Sequence, residues 1–196
     1  MHDARVGRVL VASLHQGIAD ILPNRLAFYE NWLTPEGLRD GTIGLAPLYA
    51  VLSFLRQEGE PYYVITTRAG EYAAEWTVES MPQLRRSILQ ALPESLRGHL
   101  VLRLARQIVR RSYGGSRTMS RVRNGTARVE VLASIFCTVR APVLHPLCGF
   151  HAAAFTRLLQ LFDLPGQTEV LTCRGMGAPT CTLLVAVLNG PSPQVV

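Results

Sequence analysis

Lysine is missing from this chain of 196 residues, and every one of its 20 basic residues is arginine. The bias reads first as codon usage in a GC-rich genome, yet it has a physical consequence. Arginine is permanently charged and forks onto carboxylates and phosphates, so a net charge of +6 and a pI of about 9.6 favour acidic partners, anionic ligands or membrane surfaces. Charge of either sign is scarce at 17%, against 48% hydrophobic residues and a mean hydropathy of +0.17. Such a composition points away from a disordered chain and towards a large core, a lipophilic cavity or a buried partner surface.

Long hydrophobic runs are missing too. No segment offers the roughly 18 uninterrupted apolar residues of a membrane helix, and the stretch from Met1 to Arg8 has no signal-peptide core. We expect a cytoplasmic protein, with association to a membrane surface left open by the basic charge. Cysteine is limited to four residues whose spacings outline no secreted framework, and a chain of this length can bury a core without disulfides. Free thiols or metal ligands are the readings that remain.

The signatures of common catalysts are also wanting. No Gly-x-Gly-x-x-Gly follows a strand, and Arg174-Gly-Met-Gly177 is too short and lies inside a turn, so no dinucleotide site is legible. No Ser-His-Asp arrangement or carboxylate pair stands out. Nucleic-acid binding is disfavoured, because the arginines are not interleaved with aromatics and no helix-turn-helix or zinc-finger spacing occurs.

What is present reads as helices followed by hairpins. Residues 4 to 20 and 26 to 33 carry apolar positions at helical spacing on either side of Pro23-Asn24, and Pro35-Glu36-Gly37 marks a loop. Thr42 is placed to cap a helix with a stripe through Leu45, Leu48, Leu52 and Leu55. Pro61 to Thr66 is a short strand-like run, followed by helix formers from Ala69 to Ser80. Pro82 and Pro93 punctuate two further helices, of which Glu94 to Tyr113 turns Leu96, Leu100, Leu104 and Ile108 inward and Arg103, Arg106 and Arg110 elsewhere.

After Gly114-Gly115 the period changes. Asn124-Gly125 between alternating segments predicts a β-hairpin. A helix over 147 to 164 follows, and Glu169 to Cys173 with Cys181 to Leu188 forms a second hairpin. The expected fold class is α+β: a small antiparallel four-stranded sheet, ordered hairpin, helix, hairpin, and covered by helices. Residues 1–92 are expected as a helical portion on the same core, 93–189 as the α+β core, and 190–196 as a disordered tail.

The chemically pointed stretch is the last third. Cys148-Gly-Phe-His151 opens an apolar helix, and Cys173 and Cys181 stand on consecutive strands, so three thiols and an imidazole could converge on one soft metal ion. The opposing reading makes the cysteines small buried hydrophobes. His151 suits axial ligation of a tetrapyrrole metal, or a hydrogen-bonded place in the core.

The run Cys148-Gly-Phe-His151-Ala-Ala-Ala-Phe155-Thr-Arg157-Leu158-Leu159, with Glu169 to Cys173, Gly177 and Cys181-Thr-Leu-Leu, resembles the 4-vinyl-reductase domain family, also called hydrocarbon-binding domains. Within it the chain looks most like members of bacteriochlorophyll biosynthesis, over about residues 95 to 188. The resemblance implies a fold shared with vesicle-tethering TRAPP subunits, a homodimer, and a lipophilic cavity, beside which phenol-sensing relatives hold a structural zinc with three cysteines and a glutamate. Cys148, Cys173 and Cys181 match the thiolate positions. The family's acidic ligand falls at Val170; Glu169, one residue earlier, would nominally face the other way unless a bulge turned it in, and His151 or His145 could replace it.

The function so implied is binding of a hydrophobic small molecule, a tetrapyrrole intermediate, by an accessory or carrier protein that works with enzymes of tetrapyrrole synthesis. His151 and Phe155 would meet the ring, and Arg103, Arg106 and Arg110 its carboxylates. The alternatives are a zinc- or ligand-binding sensory or adaptor module acting through a dimer or partner, and a 4-vinyl reductase supplied with an external reductant.

Overall fold

A computed structural model describes residues 6–188. Eight α-helices precede and interrupt a four-stranded sheet. Helix α1 (Arg8–Ile21) ends at Leu22, before Pro23 starts a 3-10 turn, and α2 (Leu26–Tyr29) is a single turn. The expected loop at Pro35 is instead a short helix, α3 (Pro35–Asp40). Pro35 stands where its missing N–H costs nothing, Thr34 Oγ1 accepts from the Gly37 amide, and Gly41 closes the helix at φ 68°. Helix α4 (Leu45–Gln57) begins after Gly44, so Thr42 does not cap it.

The expected strand at 61–66 is also helix. Residues 60–79 form one continuous α5 (Glu60–Glu79) with Pro61 in its first turn. Its β-branched and aromatic residues are placed by burial: Tyr62, Ile65 and Thr66 face the core with Ala69, Ala73 and Ala74. Tertiary packing outweighs local strand preference here. Helices α6 (Gln83–Ala91) and α7 (Glu94–Ser112) start after Pro82 and Pro93 as the sequence predicts. The inward stripe of α7 is buried at Leu104 and Ile108 but shifted in its first half. Val101, Leu102, Ala105 and Val109 are buried, whereas Leu96 and Leu100 are 56% and 40% exposed.

Strands β1 (Arg117–Arg123) and β2 (Thr126–Leu132) pair antiparallel around Asn124-Gly125, whose φ values of 48° and 74° are those of a tight two-residue turn. Helix α8 (Gly149–Gln160) follows, then β3 (Thr168–Thr172) and β4 (Cys181–Ala186). The sheet order is β1-β2-β4-β3 with every pair antiparallel. The fold is α+β, with the two hairpins joined edge to edge through β2 and β4.

Helices α7 and α8 cover one face of the sheet, α5 packs on α8, and α1 packs on α5. Gly70 makes the α5–α8 approach possible, because a Cβ there would lie 2.3 Å from the Phe150 carbonyl oxygen. One hydrophobic cluster runs from Leu10 through Val187, so the N-terminal helices share the core of the sheet. The 190–196 tail lies outside the described residues.

Candidate metal centre

Four sulfurs meet at the end of the sheet nearest the start of α8. Cys137 ends a 3-10 turn, Ile135–Cys137, which follows β2. Cys148 is the residue that caps α8, Cys173 directly follows β3, and Cys181 opens β4. All four thiols are free and at most 2% exposed. Their Sγ atoms all lie within 4.8 Å of one another. Cys148 to Cys173 is 3.1 Å, Cys137 to Cys148 and to Cys181 are 3.4 Å, and Cys137 to Cys173 is 3.5 Å.

Local backbone features aim these groups. A register shift between Val170 and Thr172 rephases the end of β3, so that Cys173 turns inward beside Cys181. Gly177, at φ 93°, ends the 3-10 turn Arg174–Met176 that returns the chain to β4. The Leu147 amide donates to Cys173 Sγ and the Arg174 amide to Cys181 Sγ, each at 3.3 Å. Peptide N–H groups pointed at sulfur favour the thiolate form and orient it.

Crowding splits the four thiols. Hydrogen bonds from Cys137 first, then from Cys148 and Cys181, hold the Cys173 thiol well below its ordinary range, with the Leu147 amide assisting. Cys181 is lowered in the same way, chiefly through Cys137. Cys148 is raised, first by its hydrogen bond with Cys137, then by Cys173, Cys181 and burial. Without a cation, a buried set of this kind retains protons on some sulfurs while others accept them.

The donor set suits one tetrahedral ion. Sulfurs about 2.3 Å from a central zinc would stand about 3.8 Å apart. Four of the separations, 3.1 to 3.5 Å, need to widen by about 0.3 to 0.7 Å to reach that spacing, and the whole set already lies within 4.8 Å. A disulfide would need about 2.05 Å, so none of these contacts is a covalent bond. An ion bound by all four thiolates would have no open position, which is the pattern of structural rather than catalytic zinc.

The sequence-derived candidates are thus partly gathered. Cys148, Cys173 and Cys181 come together, and the fourth sulfur is Cys137. Glu169 is corrected as a ligand: it is exposed and pairs with Leu184 on the sheet's outer side, because the register shift begins after it. His145 is exposed beside Tyr63 and also lies outside the cluster. Cys137 was absent from the motif. Counting offered the available signal, since it is the remaining member of a set of four.

His151 and Phe155 are 1% and 0% exposed and belong to the core. His151 Nε2 shares a hydrogen bond of 2.9 Å with Ser134 Oγ, while Nδ1 is buried without a partner. The Phe136 and Phe150 rings stand edge-on to the imidazole. Burial pushes its pKa down to about 4. A macrocycle bound at His151 would have to displace Phe136 and Phe150, so the expected axial site is not preformed.

The arginines lie elsewhere. Arg103, Arg106 and Arg110 line an open cleft of about 1150 Å³ between α6, α7 and β1, with Ile88, Leu100 and Val122 among its apolar walls. This cleft is at the sheet's β1 edge, and His151 is not among its lining residues.

No protein-family model matches the chain, and no curated protein does. Among solved structures, the chain is similar to the crystal structure of the phenol-responsive sensory domain of the transcription activator PoxR with phenol. The TM-score is 0.51 at 16% sequence identity, covering 72% of this chain and 73% of that one. At this identity the likeness concerns the fold alone, a small α+β domain. No helix among the described residues is long and apolar enough to cross a membrane.

Proposed function

We propose that the chain is a non-catalytic binding module of the hydrocarbon-binding type, in which Cys137, Cys148, Cys173 and Cys181 hold one zinc ion. The observation that carries this reading is the convergence of four buried sulfurs from four separate elements. Zinc would tie the start of α8 to both hairpins, and its binding free energy would add directly to folding. The guest would be a small hydrophobic molecule that parts the Phe136 and Phe150 rings beside α8, with the unpartnered Nδ1 of His151 as its polar anchor. The likeness to a phenol-responsive domain supports a sensory or adaptor role over catalysis.

A tetrapyrrole intermediate is the finer form of the reading. It would have to use the open cleft and its arginines instead of the packed interior. Metal analysis of the freshly purified protein, followed by calorimetric titration with phenol, simple alkylphenols and a dicarboxylic porphyrin, separates these forms. One zinc per chain and alkylphenol binding lost in His151→Phe is expected. A metal-free, fully folded protein that binds none of these compounds would overturn the proposal.

A further inference from the structure

The cleft has a feature that a small guest does not use: one of its walls is the unpaired edge of the sheet. Strand β1 bonds to β2 on one side only. In a two-residue hairpin the residues flanking the turn exchange hydrogen bonds, so Arg123, Arg121 and Met119 bond to β2, while Thr118, Ser120 and Val122 point their peptide groups outward. Arg106 Nη2 donates to the Thr118 carbonyl at 3.1 Å, which agrees with that direction. Ser120 and Val122 line the cleft, and their outward N–H and C=O groups face it.

Charge surrounds this edge on both faces. On the helix side, Arg103 and Arg110 are two turns apart on α7, about 10 Å along its axis. On the open side, Arg117, Arg121 and Arg123 are exposed, and Arg121 stands directly opposite Arg128 of β2. Like charges placed opposite each other destabilise a sheet unless an anion relieves them. Arg128 has Glu130 as a partner, but among the described residues Arg103, Arg110, Arg121 and Arg123 have no acidic partner. Ile88 and Leu100, 55% and 40% exposed, supply an apolar wall.

We infer that this cleft is the docking site of an extended acidic peptide, which adds to β1 as a fifth strand. Main-chain groups of Ser120 and Val122 pair with the peptide backbone. Because side chains of a strand alternate between faces, its carboxylates meet Arg103 and Arg110 on one side and Arg121 and Arg123 on the other. An apolar residue of the peptide rests on Ile88 and Leu100. An extended segment of about five residues, roughly 17 Å, matches the length of this edge. The inference is independent of the metal and of a guest beside α8, competes with a tetrapyrrole for the same arginines, and gives the module a means of engaging a partner protein.

The test uses a fluorescein-labelled dodecapeptide in which Glu-Glu pairs alternate with Val-Ile pairs, so that both faces of the strand carry carboxylates and apolar side chains, followed by anisotropy with the full chain. A second peptide of equal charge carries Pro at alternate positions and cannot form a strand. The strand-competent peptide should bind at least tenfold more tightly, and its binding should weaken at least tenfold in Arg103→Ala/Arg121→Ala. Ser120→Pro should also abolish it, since that N–H faces outward and its loss leaves β1–β2 pairing intact. Hydrogen exchange at Ser120 and Val122 should slow on binding. Equal affinity for both peptides would overturn the proposal in favour of nonspecific charge attraction. Failure of both to bind would overturn it too, leaving the arginines as guards of an open edge. Binding of a dicarboxylic porphyrin in place of either peptide would assign the cleft to that ligand class instead.

Discussion

Replacing Gly70 by alanine sets two effects of opposite sign against each other. Gly70 lies inside α5, where alanine is the better helix former by about 1 kcal/mol. Its added methyl, however, would stand 2.3 Å from the Phe150 carbonyl oxygen, 2.9 Å from Ala153 Cβ and 3.0 Å from the Ala154 amide nitrogen. Two of these three neighbours are backbone of α8 and cannot swing aside as a flexible side chain would. Overpacking of this kind costs about 2–3 kcal/mol, so the net effect is a loss of about 1–2 kcal/mol. For a domain of this size that corresponds to a fall in Tm of roughly 2–8 °C. Since the displaced turn of α8 carries Cys148 and His151, zinc retention against a chelator should fall as well. Thermal melts of the zinc-loaded protein, with and without chelator, read both effects. An unchanged or raised Tm would refute the close approach of α5 and α8.

Three further outcomes follow from the same geometry. Cys137→Ser should lose zinc at chelator concentrations that leave the wild type loaded, whereas Glu169→Gln should retain it like the wild type; competition with a chromogenic chelator reads the difference. His151, with its pKa pushed down to about 4 by burial, is neutral in the folded protein at neutral pH, whereas its unfolded pKa is about 6.5. Between these values the unfolded state binds more protons, so its contribution to stability is complete above about pH 6.5 and declines by about 3 kcal/mol as the pH falls to about 4. Denaturant titrations from pH 7 to pH 4.5 should show a shallower loss in His151→Asn than in the wild type, and parallel curves would contradict the burial of a neutral imidazole. Ser134→Ala leaves Nε2 of that imidazole without its partner and should cost about 1–3 kcal/mol, read as a lowered denaturation midpoint.

Local signals carried the sheet well. Asn124-Gly125 fixes the first hairpin because few residues tolerate positive φ at both turn positions, and Pro82 and Pro93 mark helix starts wherever they fall. The order hairpin, helix, hairpin followed from turn residues together with periodicity. Pro61 to Thr66 was misleading because its residues suit a strand locally, yet they lie on a helix that turns Tyr62, Ile65 and Thr66 into the core and leaves Val64 exposed. Leu96 and Leu100 continue the stripe of the buried Leu104 and Ile108, but towards its start α7 turns a different face inward, with Gly98 pressed against Val187. Such rotation is set by neighbours remote in sequence.

The candidate site was legible to the same extent. Cys148, Cys173 and Cys181 each stand beside an element end that the sequence marks. Cys137 sits in a 3-10 turn with no periodic pattern, and only the closing of β2 against β4 brings it to the other sulfurs. The register shift after Val170 was the missing detail that decides between Glu169 and a fourth thiol. Arginine spacing on α7 suggested an anionic guest, but the apposition of that face to an unpaired strand edge could not be read from helical spacing.

X-ray absorption at the zinc edge of the purified, zinc-loaded protein is the most direct test of the four-thiolate centre. The account predicts a single shell of four sulfurs at about 2.3 Å, with Cys137→Ser reducing it to three sulfurs and one lighter atom. A wild-type shell of three sulfurs with an oxygen or nitrogen, or a folded protein that takes up no zinc, would contradict it.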